Sequence, residues 1–192
     1  MSIDATRAEE LLAAVGALLD DGQEVLRPVV VGGAALALRG YYLRTTEDVD
    51  VIALFVDGGF SDPVPLPPRL EAAVARVSRD FGLPADWFNS VVGAQFQTGL
   101  PPGLDGDLAW RRFGGLEVGV AGRLTLIATK LFAAIDQGPQ SKHVHDLVAL
   151  RPSPEEWERA HAWVVGQDTS PHFPAMSHEV IQHVESRVEH SL

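Results

Sequence analysis

The sequence predicts an α/β (α+β) fold, in which a small mixed β-sheet is flanked by helices and followed by a helical C-terminal extension. Three observations predict it. A strand–glycine–helix–strand run spans Val29 to Ala53, VVVGGAALALRGYYLRTTEDVDVIA. Residues 107 to 121 read as two more strands, DLAWRRF and LEVGVAG, turning at Gly114-Gly115. From Thr125 onward each periodic stretch has helical spacing. The chain therefore divides into a core, residues 1–121, and a helical region packed on it, residues 122–192.

Each element has a local reason. Residues 3 to 20 place Ile3, Leu11, Leu12, Val15, Leu18 and Leu19 near one helical stripe, and Asp21-Gly22 stops the helix. Residues 24 to 31 form the first strand and 33 to 39 a short helix ended by Gly40, in a βαβ-like unit with the strand at 47 to 54. Asp57 to Pro68 is a loop rich in Gly, Asp and Pro. Arg69 to Phe81 has helical spacing, with Gly82 as its C-cap. Residues 83 to 104 are irregular and anchored by Trp87 and Phe88. Thr125 to Asp136 is helical. Ser141 caps a helix over KHVHDLVAL, and Ser153 with Pro154 starts another that runs to about Val165. A loop with Pro171 and Pro174 precedes a polar, loosely docked tail helix.

Composition narrows the function. The 192 residues are 46% hydrophobic, enough for a sizeable core. The 15 basic and 26 acidic residues give a net charge of −11, so nonspecific attraction to nucleic acid or anionic membranes is not expected. A nucleic-acid partner would need a local patch, for which Arg111, Arg112 and Arg123 are available. There are no cysteines, which excludes disulfides and zinc–thiolate sites and suits a cytoplasmic protein. Neither a signal peptide nor a transmembrane span is expected.

The chemistry concentrates in two places. Asp48 and Asp50 stand two apart on a strand, so both carboxylates project to one face. Paired carboxylates repel unless a cation lies between them, and a hard ion such as Mg2+ prefers oxygen ligands. Gly32 and Gly33 close the first strand before a helix, where backbone N–H groups favour anions. The second place is helical. Lys130 sits in an apolar helix and needs either a route to solvent or a partner, with Asp136 and Asp146 at hand. In KHVHD, His143 and His145 are two apart on a helix and do not share a face, so they cannot readily chelate one ion. A His-Asp phosphohydrolase would need a histidine upstream of His143, and none exists.

In combination, Gly-Gly, Asp-x-Asp, a lysine in an apolar helix and Lys-x-x-x-Asp-Leu stand in one order. This order resembles the DNA polymerase β-like nucleotidyltransferase superfamily. It is most similar to the bacterial branch that includes the AbiEii-type toxins and related small proteins, over roughly residues 25 to 150. The Asp86–Asn89 segment, DWFN, is similar to a stretch in that branch. The resemblance implies a nucleotidyltransferase core and transfer of a nucleotidyl group from an NTP, with two Mg2+ ions. It implies catalytic roles for Asp48, Asp50, Lys130 and Asp146, metal binding by Asp48 and Asp50, and nucleotide contacts from Gly32, Gly33, Thr46 and Lys130. A third carboxylate is expected from a later strand, with Glu117 and Asp107 as candidates. His143 replaces an aspartate of the family pattern. The acceptor is a tRNA end, a protein hydroxyl or a small molecule, and a cognate antitoxin protein is a candidate partner.

Overall fold

The computed structural model describes residues 2–20, 24–41 and 44–190. The strands are β1 Pro28–Val31, β2 Val49–Val56, β3 Gly59–Ser61, β4 Phe88–Asn89, β5 Leu108–Phe113 and β6 Leu116–Ala121. The helices are α1 Ala5–Leu18, α2 Gly32–Leu38, α3 Pro68–Phe81, α4 Gln95–Thr98, α5 Arg123–Gln137, α6 Lys142–Leu150, α7 Pro154–Val165 and α8 Phe173–Glu189. They group into two compact units. The first runs to Gln97 and takes up Leu108–Ala121; the second comprises Thr98–Asp107 and the chain from Gly122 onward. The stop at Asp21-Gly22 lies outside the described residues.

The first unit is built on a mixed sheet in the order β3-β2-β1-β6-β5, with β4 paired to β2. β1 is central and buried along its whole length, which is why it reads PVVV without alternation. It runs parallel to β6 and antiparallel to β2. The βαβ-like reading of β1, α2 and β2 is therefore corrected: the two strands are antiparallel neighbours. α2 spans only seven residues, and an antiparallel bridge between Ile3 and Thr46 holds the returning chain where β2 begins. The register slips by one residue between Val29 and Val30, because Val30 faces Val51 and leaves Ile52 as a bulge. α1 buries Leu11, Leu12 and Val15 against the β5–β6 hairpin, α2 and α3. Gly82 ends α3 with φ +64, the left-handed cap expected of it.

Two other parts of this unit differ from expectation. Part of the segment read as a loop over Asp57–Pro68 is a hairpin, β2 turning into β3 through Asp57-Gly58 with φ 50 and 81. The irregular stretch after Gly82 holds β4, a 3-10 turn at Val91–Ala94 and α4. Trp87 and Phe88 anchor it as anticipated. Both are buried, their rings meet edge to face at 5.6 Å, and the Trp87 carbonyl accepts from the Val49 N–H at 2.7 Å.

In the second unit α5 is the central helix and α6, α7 and α8 pack on it. Ser141 and Ser153 cap α6 and α7, the latter through a reciprocal box with Glu156. Gly99 and Pro102 tie the 98–107 segment down, accepting from Trp163 Nε1 (2.8 Å) and Thr125 Oγ1 (2.9 Å). The tail helix is longer and better docked than its polar sequence suggests. It starts at Phe173, takes Pro174 into its first turn, and buries Phe173, Ser177 and Val184. Among the described residues, no helix is long and apolar enough to cross a membrane.

Candidate functional site

Asp50 lies on β2 and Asp48 immediately before it, with Val49 and Val51 buried on the other face. Both aspartates line one cleft of about 340 Å³, together with Glu47, Asp86 and Asn89. Among the described residues, no Lys, Arg or His lines it. The four carboxylates raise a concentrated negative potential that invites a cation.

Neutral donors fix the two central carboxylates. Thr46 Oγ1 donates to Asp48 Oδ1 at 2.8 Å. Asn89, opposite Asp50 in the β2–β4 pairing, donates from Nδ2 to Asp50 Oδ1 at 3.4 Å and to the Asp86 carbonyl at 3.3 Å. Its own Oδ1 accepts from the Val91 N–H at 3.0 Å, so the amide turns its NH2 toward the carboxylate. Thr46, expected to meet nucleotide, is instead buried and serves Asp48.

The glycine pair has a steric role. A Cβ on Gly32 would stand 2.2 Å from Asp50 Oδ2, and Gly32 has φ +74. A Cβ on Gly33 would stand 2.7 Å from Thr46 Oγ1. Both glycines let the start of α2 lie directly against the groups that line or brace the cleft.

The remaining expectations fare differently. Lys130 is 3% exposed and pairs with Asp146, itself 1% exposed, at 2.7 Å in the second unit. Its charge is thus neutralised inside the protein, not carried to the surface by the stem. Asp136 is exposed. Glu117 pairs with Arg27 at 2.7 Å. It sits at the level of Arg27, just before β1, whereas Asp50 faces Val31, four residues or about 13 Å further along. Glu117 therefore does not supply the third carboxylate. Asp107 belongs to the second unit, where its carboxylate lies against Gly122, the N-cap of α5. The helix terminus favours that charge. Among the described residues, no three His, Asp or Glu side chains are grouped to hold a metal ion. His145 is exposed on α6, bonded through Nδ1 to the Ser141 carbonyl.

The arginines of the anticipated basic patch each have partners within the protein. Arg111 pairs with Glu9 and donates to the Leu38 carbonyl, Arg112 donates to the Gly114 carbonyl, and Arg123 pairs with Glu156 at 2.7 Å. Sequence reasoning gave no role to Glu47, Asp86 or Asn89. The DWFN segment carried the signal for two of them, since burial of Trp87 and Phe88 leaves the flanking polar residues facing the cleft.

Comparison with protein-family models, curated proteins and solved structures finds no match to this chain.

Proposed function

We propose that this chain is a metal-dependent nucleotidyltransferase, moving a nucleotidyl group from an NTP to a hydroxyl acceptor. One observation carries the reading: Asp48 and Asp50 face one cleft with Glu47 and Asp86. A carboxylate pair fits Mg2+, which keeps several waters and takes one or two carboxylates plus substrate phosphates. Bound there, the ion would supply charge neutralisation at the triphosphate and activation of the acceptor hydroxyl.

The protein's part is positioning. Thr46 and Asn89 hold the carboxylate rotamers, and Gly32 keeps backbone close to Asp50. Lys130 and Asp146 pair between α5 and α6. The acidic chain without cysteine suits a cytoplasmic, toxin-like enzyme restrained by a cognate antitoxin.

The test is incubation with each α-labelled NTP, Mg2+, and lysate or total RNA, repeated with Asp48→Ala and Asp50→Ala. Label transfer by the parent chain and its loss in both variants is the expected outcome. A second reading, a nucleotide- or partner-binding module on the same fold, is favoured by Glu117 and Lys130 both being committed to ion pairs. Mg2+-dependent NTP binding without transfer would establish that reading instead.

A further inference from the structure

A second hollow, of about 470 Å³, adjoins the acidic cleft, and Val91 lines both. Its walls include Val64 and Val91, which are 54% and 80% exposed. Asp62 and Gln97 line it as a bonded pair at 2.6 Å, and Asp62 also accepts from the Val64 N–H at 2.9 Å. Among the described residues, no Lys, Arg or His lines this hollow.

We propose that the hollow receives the acceptor, and that the acceptor is a polypeptide hydroxyl, the side chain of a Ser, Thr or Tyr. This rests on the nucleotidyltransferase reading above. In phosphorus displacement the attacking and leaving oxygens lie roughly in line, on opposite sides of the reacting phosphorus. The hollow lies on the Asn89 flank of Asp50, while Val31 and Gly32 lie on the other flank. Two valines and the Asp62 carboxylate would repel or fail to solvate a departing pyrophosphate. The hollow is therefore on the attacking side.

Its lining selects the acceptor class. A nucleic-acid strand is held by basic grooves. Here Glu47, Asp48, Asp50, Asp62 and Asp86 line the two spaces. A small molecule needs most of its surface buried, and these valines are too open to provide that. A neutral or basic polypeptide can cover Val64 and Val91 and extend beyond them. In the step, the hydroxyl oxygen forms a bond to the α-phosphorus and the bond from that phosphorus to the bridging oxygen breaks. Pyrophosphate leaves with the electron pair, and the hydroxyl proton passes to bulk water.

The test uses the full chain, α-labelled NTPs and Mg2+, with a library of Ser-, Thr- and Tyr-containing peptides in one arm and protein-free total RNA in the other. NTP binding is measured in parallel by equilibrium dialysis. The expected result is label on peptide, with the ratio of transfer to NTP binding falling about tenfold in both Val64→Glu and Val64→Lys. Label confined to RNA, or a gain in Val64→Lys, overturns the acceptor assignment. So does an unchanged ratio in both variants, including the case where binding and transfer fall together because the hollow holds the nucleobase. NTP binding with no label on any peptide also overturns it. If the parent chain binds no NTP with Mg2+, or if Asp50→Asn binds it equally well, the underlying nucleotidyltransferase reading fails first.

Discussion

At the scale of single residues, the site depends on what is missing as much as on what is present. Gly32→Ala would place a methyl 2.2 Å from Asp50 Oδ2 on a backbone at φ +74. The expected cost is about 1–3 kcal/mol, read by urea unfolding, with weaker Mn2+ binding by the displaced carboxylate. The Lys130–Asp146 pair makes a second prediction. Lys130→Met removes the ammonium of a buried pair and should cost about 3–5 kcal/mol, whereas Lys130→Met with Asp146→Leu should recover most of that loss. An equally unstable double variant would refute a pairing role. Asp48 and Asp50 were legible in the sequence because strand period alone puts them on one face. The assignment of Lys130 to Asp146 was open, because two aspartates lay within reach and only tertiary packing selects between them.

At the scale of elements, caps and charges at helix ends make the strongest local statements. In α7, Ser153→Ala removes one half of the capping box and should lower stability by about 1 kcal/mol. Burial alone would raise the Glu156 pKa. The Arg123 guanidinium and the Ser153 N–H outweigh it and hold the carboxyl below its usual range. Burial, with the His178 ring beside it, holds His161 below the usual imidazole range. Both shifts destabilise on the acid side. The unfolded chain takes up a proton at His161 before the folded chain does, so stability falls as pH drops below about 6.5. The Glu156 contribution, present above its unfolded value, is lost as pH falls through its lowered folded value. Unfolding at pH 7.5 and 5.5 should show a smaller difference in His178→Ala than in the parent. Helices with caps were legible to within a few residues at their ends. The β2–β3 hairpin carried a written signal, Asp57-Gly58, obscured by the prolines that follow it. β4 was not legible, since two residues carry no period and owe their strand geometry to pairing with β2.

At the scale of the molecule, a net charge of −11 and a cleft with four carboxylates set a state that divalent cations should stabilise. Mg2+ should raise the melting temperature in proportion to its occupancy of the folded protein. Asp48→Asn should gain less than the parent when it is added. The effect should weaken with monovalent salt. A melting point indifferent to Mg2+ in the parent would remove the cation from the account. The mixed sheet and the helical end were legible because strand and helix periods differ. The antiparallel order of β1 and β2 was not, since it is fixed by a bridge between Ile3 and Thr46, residues remote in sequence.

Two residues before Asn89, Trp87 is plugged into the interior, where its indole N–H donates to the Val74 carbonyl at 3.4 Å and anchors the start of β4. Any grip on an ion would thus be set from behind the wall, by a ring that is itself buried. Trimming that ring, as in Trp87→Leu, would slacken β4 and detune selectivity among Mg2+, Mn2+ and Ca2+ while each ligand stayed in the chain. Divergent copies of such a protein would have a hidden dial for changing metal preference, turned by hydrophobic drift alone.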